Sequence, residues 1–140
     1  MWPLHFNQRL DSWVTLRNQV AELPIEDALS EINRWWFQSP WTPYHLHWDD
    51  LSEWPDPWQL LSDNLFCGVA RGLGIMYTIA ILNRKDMADA CLVQTRNDNL
   101  VQVSKEKYIL NYESDEIVNK SSNVVITNKL TLGQLQHRFK

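Results

Sequence analysis

Tryptophan is missing from the chain after Trp58, although eight tryptophans occur among its 140 residues. Glycine and proline are sparse, at four and six, which excludes a collagen-like or low-complexity chain. Two cysteines, Cys67 and Cys91, are too few for the disulfide framework of a small secreted domain and read as reduced thiols. Basic residues are outnumbered, 13 against 17 acidic, and those after Arg84 are scattered singly. Phosphate binding needs a clustered basic face, so no nucleic-acid partner is expected. The start, MWPLHFNQRLDSW, has no basic stretch followed by an apolar run, so no secretory signal is read. The longest apolar stretch, Gly72 to Leu82, is too short to span a bilayer, so no membrane partner is expected either.

The hydrophobic fraction of 44% and charged fraction of 21% suit one globular domain over 1–140. Leu10, Trp13, Val14, Leu16 and Val20 recur as one stripe of a helix from Phe6 to Val20. Pro24 opens a second helix, with Glu26 and Asp27 in its first turn where the dipole favours acids. Its apolar positions are Ala28, Leu29, Ile32, Trp35 and Trp36, and Pro40 and Pro43 end it; the two helices should fold back as a pair. A Trp-rich loop over 40–56 follows. Asp56 and Pro57 are an N-cap and first-turn pair for a third helix, with Leu60, Leu61, Leu65, Val69, Ala70 and Leu73 facing inwards and Gly72 or Gly74 as its stop.

Beyond Gly74 the pattern turns to β. Met76 to Leu82 reads as a strand, with a helix continued to Asn83 as the alternative. CLVQT and LVQVS flank Arg96–Asn99 as a hairpin, KYILNY and NVVITN add strands, and Thr131 caps a short helix LGQLQHRF. The fold class is therefore α+β: a helical half over 1–74 packed on an antiparallel sheet from 75–140.

The stretch WTPYHLHWDDLSEWPDPWQLL, Trp41 to Leu61, holds four tryptophans, two histidines and three prolines. HLHWDD resembles the H-x-H-x-D-H run of metallo-β-lactamase-type hydrolases, with Asp50 where the last histidine would stand. His45 and His47 could share a zinc, but a proper site takes three or four ligands and His137 is the one histidine downstream. No metal and no cofactor are expected, and Asp49 and Asp50 are read as loop-locking acceptors. Trp41, Trp48, Trp54 and Trp58 could stack sugar rings as a carbohydrate-binding module. Tryptophan is more often buried with its N–H bonded, which favours a packed loop leaving one or two rings as interface anchors. Trp41, His45, Trp48, Trp54 and Trp58 are the candidate interaction surface.

Cys67 lies early in a helix, in SDNLFCGVARGLGI. Helix N-termini favour thiolates, and here the chain resembles papain-like and transglutaminase-like cysteine enzymes, whose nucleophile starts a helix packed on an antiparallel sheet. That resemblance implies a histidine on the first long strand after the helix, where this sequence has Asp89-Ala-Cys-Leu-Val. An enzyme would have to use Cys67 as nucleophile, His47 as base and Asp49 or Asp50 as its orienter. The alternative for Cys67 is a small apolar residue at the helix–sheet interface. The order NRWWF, WPDPWQLLSDN, ARGLGIMYT, KYILNY resembles small proteins of contractile-tailed bacteriophages, particularly of cyanobacterial hosts. It implies a non-enzymatic virion or assembly adaptor of tail, baseplate or neck, made in the host cytoplasm. Its partners would be other phage structural proteins, with self-association inside the particle left open.

Overall fold

The computed structural model describes residues 2–43, 46–96, 98–105, 107–112 and 126–135, without the side chain of Asp50. The chain is α+β, with helices first and a four-stranded antiparallel sheet after them. Helix α1 spans Phe6–Val20 and α2 spans Ile25–Phe37, close to the predicted bounds. Trp35 donates its indole N–H to Ser12 (2.9 Å), and the Trp13 and Trp36 rings meet edge-on at 6.3 Å. The connecting turn is midway between these partners, as a folded-back pair requires. Val14, expected in the stripe, is 43% exposed.

Helix α3 spans Pro57–Asp63 and starts as the sequence predicts: the Asp56 carboxylate accepts the Gln59 N–H at 2.8 Å. It then stops early. Asn64 takes a left-handed conformation (φ 58°) and closes the helix, so Leu65 is 39% exposed and not on a core face. Phe66 makes an isolated parallel bridge to Trp41, and a new helix, α4, runs Gly68–Leu82 with Cys67 as its N-cap residue.

The strand expected over Met76–Leu82 is therefore the second half of α4, the alternative that the sequence left open. Gly72 and Gly74 do not end it. A Cβ on Gly74 would sit 2.5 Å from the Trp36 ring, and one on Gly72 would sit 2.5 Å from a Leu92 methyl. Both glycines let large side chains lie against the helix backbone. Val69 to Ile79, Arg71 apart, is buried on all sides, which erases the helical period. Thr78, also interior, donates to the Gly74 carbonyl (2.8 Å) and accepts both indole N–H groups of Trp13 and Trp36, each at 2.9 Å. One hydroxyl thus uses its proton and both lone pairs.

The hairpin around 95–98 is present: β1 (Cys91–Gln94) pairs with β2 (Asn99–Val103) in the register Gln94 to Asn99 and Cys91 to Gln102. Strand β3 (Tyr108–Leu110) joins β2, and β4 (Asn128–Thr131) joins β1, giving the order β3-β2-β1-β4. The expected strand NVVITN, 123–128, begins outside the described residues, and β4 starts only at its last residue, Asn128. Thr131 leads into α5, Leu132–Leu135, with Leu135 fully buried; the rest of that expected helix lies outside the description. One apolar cluster joins α1, α2, α3 and α4 to the sheet through Leu92, Val101, Val103 and Leu110. Cys91, Val93, Leu100 and Ile109 form a small second cluster.

Candidate functional site

The N-terminal end of α4 opens onto a groove of about 430 Å³, between the loop after α2 and the ends of β2 and β3. Cys67, Gly68 and Arg71 come from the helix, Trp41 and Leu46 from the loop, and Asp98, Asn99, Asn111 and Tyr112 from the sheet side. The local folding that builds it is legible residue by residue. Asn64 stops α3, the Thr42 N–H donates to the Phe66 carbonyl at 2.9 Å, and Cys67 follows immediately at the head of the next helix. Cys67 is 4% exposed, and its sulfur accepts the Leu46 N–H at 3.4 Å. Its side chain does not cap the helix.

Two asparagines face this helix end. Asn111, at φ 61° just past β3, donates its side-chain amide to the carbonyls of Gly68 and Asn99, both at 2.8 Å. Its own backbone N–H donates to the buried Asn33 (2.9 Å). Asn99 accepts the Trp48 indole N–H at 2.8 Å, and its amide nitrogen is 3.5 Å from where a Gly68 Cβ would stand. Arg71 sits beside the Phe37 and Trp41 rings, its guanidinium carbon 5.1 Å from each centroid. It donates through Nε to the Ser39 hydroxyl (2.9 Å) and through Nη2 to the Ser39 carbonyl. Burial lowers the Arg71 pKa from its ordinary value, and its electrostatic interaction with Cys67 acts in the opposite direction. A guanidinium stays charged at neutral pH regardless.

The residues singled out from sequence divide sharply here. Trp48 and Trp54 are 8% and 4% exposed and meet edge-on at 5.1 Å. The Trp54 indole donates to the His47 carbonyl at 2.8 Å. Neither ring offers a surface, which corrects their place in the expected interaction face: proline-stiffened chain folds both back onto the core. Trp41 and Trp58 are 59% and 44% exposed, and of these two Trp41 lines the groove. The two exposed rings sit on different elements, so no row of stacking platforms forms. His47 is exposed, lines no described part of the groove, and its imidazole makes no hydrogen bond with a described residue. His45 lies outside the described residues, as does the Asp50 side chain, while Asp49 is exposed. Among the described residues no three His, Cys, Asp or Glu side chains gather as a metal site, and no helix is long and apolar enough to cross a membrane.

No protein-family model, no curated protein and no solved structure matches the chain. The groove is therefore read from its own chemistry. Sequence reasoning found Cys67 and Trp41 but missed Arg71, Asn99, Asn111 and Tyr112. The two asparagines did carry a signal, since each stands at a strand end, in RNDNL and in LNY, where polar side chains turn back to the backbone.

Proposed function

We propose that this chain is a non-enzymatic interaction module of a bacteriophage particle or its assembly, in the tail, baseplate or neck. The residue order from NRWWF to KYILNY supports the phage setting, and the groove supports binding. The observation that carries binding over hydrolysis is the pair Asn99 and Asn111 in front of Cys67. A nucleophilic thiol needs a base within hydrogen-bond reach, and a carboxamide cannot take a proton at neutral pH. Both amides are already engaged in holding β2, β3 and Trp48 around the helix end. Exposed aromatic rings beside a cation, at Trp41 and Arg71, are the usual anchors of an interface.

The second reading, a cysteine hydrolase, draws on one specific feature: Cys67 heads a 15-residue helix and lines a groove. Iodoacetamide labelling near pH 7 separates the two. Cys67 is expected to label no faster than free cysteine and to be indifferent to His47→Ala. Rapid labelling that collapses in His47→Ala would make the protein an enzyme. The phage setting has its own check, mass spectrometry of purified particles, where peptides of this chain should be found with the structural proteins; their absence would remove that setting.

A further inference from the structure

Arg71 is the least explained charge in the groove. Among the described residues no carboxylate lies within 4.0 Å of it, the two ion pairs there being Arg34–Glu31 and Arg84–Asp86. Its contacts with Ser39 use Nε and Nη2, and Nη1 bonds to no described residue. The Phe37 and Trp41 rings each lie 5.1 Å from the guanidinium carbon and line the groove with it. A half-buried cation beside two aromatic rings, with no counter-ion among the described residues, suits a planar anion bound in bidentate fashion.

Other lining residues are of the other kind. Asp98 and Asn111 also line the groove, and neither the Asp98 carboxylate nor the Asn111 side-chain oxygen accepts a hydrogen bond from a described residue. Asp98 uses its backbone, not its carboxylate, to close the hairpin turn with Thr95. One cavity thus pairs a donor at Arg71 with acceptors at Asp98 and Asn111. A side-chain carboxylate offers acceptors alone at its tip. The last residue of a peptide carries a carboxylate and an amide N–H on the same Cα, and so presents both kinds of group together.

From this juxtaposition we infer that the groove binds the C-terminal carboxylate of a partner polypeptide. The carboxylate lies on the Arg71 guanidinium, the terminal amide N–H faces Asp98 and Asn111, and the terminal side chain rests against Trp41. The inference rests on the interaction-module reading and names the chemistry of its partner. Cys67 contributes the floor of the site and forms no bond.

The test is calorimetric titration of the whole chain with three acetylated tripeptides. Acetyl-trialanine with a free C-terminus should bind. Its C-terminal amide should bind about tenfold more weakly or worse, the cost of losing a charge-assisted bond pair. An amidated peptide with a central aspartate should resemble the amide, which separates a chain terminus from a side-chain carboxylate. Arg71→Gln should abolish the difference between free acid and amide. Trp41→Ala, whose ring is largely exposed, should keep the fold and weaken the free acid several-fold. Equal binding of acid and amide, equal binding of the aspartate peptide, or no binding of the free acid would each overturn the inference. The ligand arms hold even where Arg71→Gln fails to fold. Failure here leaves Cys67 labelling slow and so spares the broader reading, which fast, His47-dependent labelling alone would remove.

Discussion

The middle of α4 and its head are built on opposite rules. At Gly74 and Thr78 the helix is sealed by tryptophan: the Trp36 ring lies on its backbone, and both indole N–H groups end on a single hydroxyl. At Cys67 and Arg71 the same helix meets a groove lined by a guanidinium and a carboxylate, neither in an ion pair among the described residues, and by an exposed indole. Within one helix, the middle is closed over by packed rings, and the head faces a groove where the Asp98 carboxylate and the Asn111 oxygen bond to no described residue. The tryptophans divide in the same way: Trp13 and Trp36 are buried, and Trp41 stands exposed at the groove.

The sharpest way to break this contrast is Thr78→Val. The change keeps the shape but strands two buried indole donors, and should cost about 2–4 kcal/mol of stability in urea unfolding. A loss below about 1 kcal/mol would mean that the indoles find other acceptors and that the sealed middle is not sealed by Thr78.

Gly74→Ala sets two effects against each other. Helix propensity alone would stabilise by up to about 1 kcal/mol, whereas a methyl pressed into the Trp36 ring should cost about 1–3 kcal/mol. Net destabilisation is expected, and any gain in stability would place Trp36 elsewhere. Gly72→Ala should suffer less, because its methyl meets the tip of Leu92, which can rotate away.

The smallest effect belongs to the open head: Trp41→Ala should change stability by within about 0.5 kcal/mol, as exposed positions usually do. A loss comparable to that of Thr78→Val would make Trp41 a core residue and erase the difference between middle and head.

The parts of the fold that carry periodicity were readable from residues alone. Helices α1 and α2 follow their apolar stripes, Asp56-Pro57 starts α3, and CLVQT and LVQVS form the expected hairpin, whose register the sequence left unstated. What failed was α4. Its residues are apolar on every face, and Ile75, Thr78, Ile79 and Ile81 favour strands in isolation, so burial among tryptophans and the sheet decided the matter. The stop at Asn64 was missed because the left-handed preference of asparagine is weaker than that of glycine, which drew attention to Gly72 and Gly74. The site was half legible. A cysteine beside a glycine at a helix start stands out, but Arg71, Asn99 and Asn111 come from three elements whose meeting depends on strand order, and no spacing encodes it.

The bridge between Trp41 and Phe66 has a mechanical consequence. The wall of the groove is tied by the Thr42 N–H to the residue directly before Cys67, and the ring of that residue lies 5.4 Å from Trp2 and 5.8 Å from Trp36. Pulling the wall outward therefore means dislodging a stack of packed rings, not swinging a hinge. The strip of wall at Trp41 and Thr42 is thereby anchored to the aromatic core and not to a surface loop.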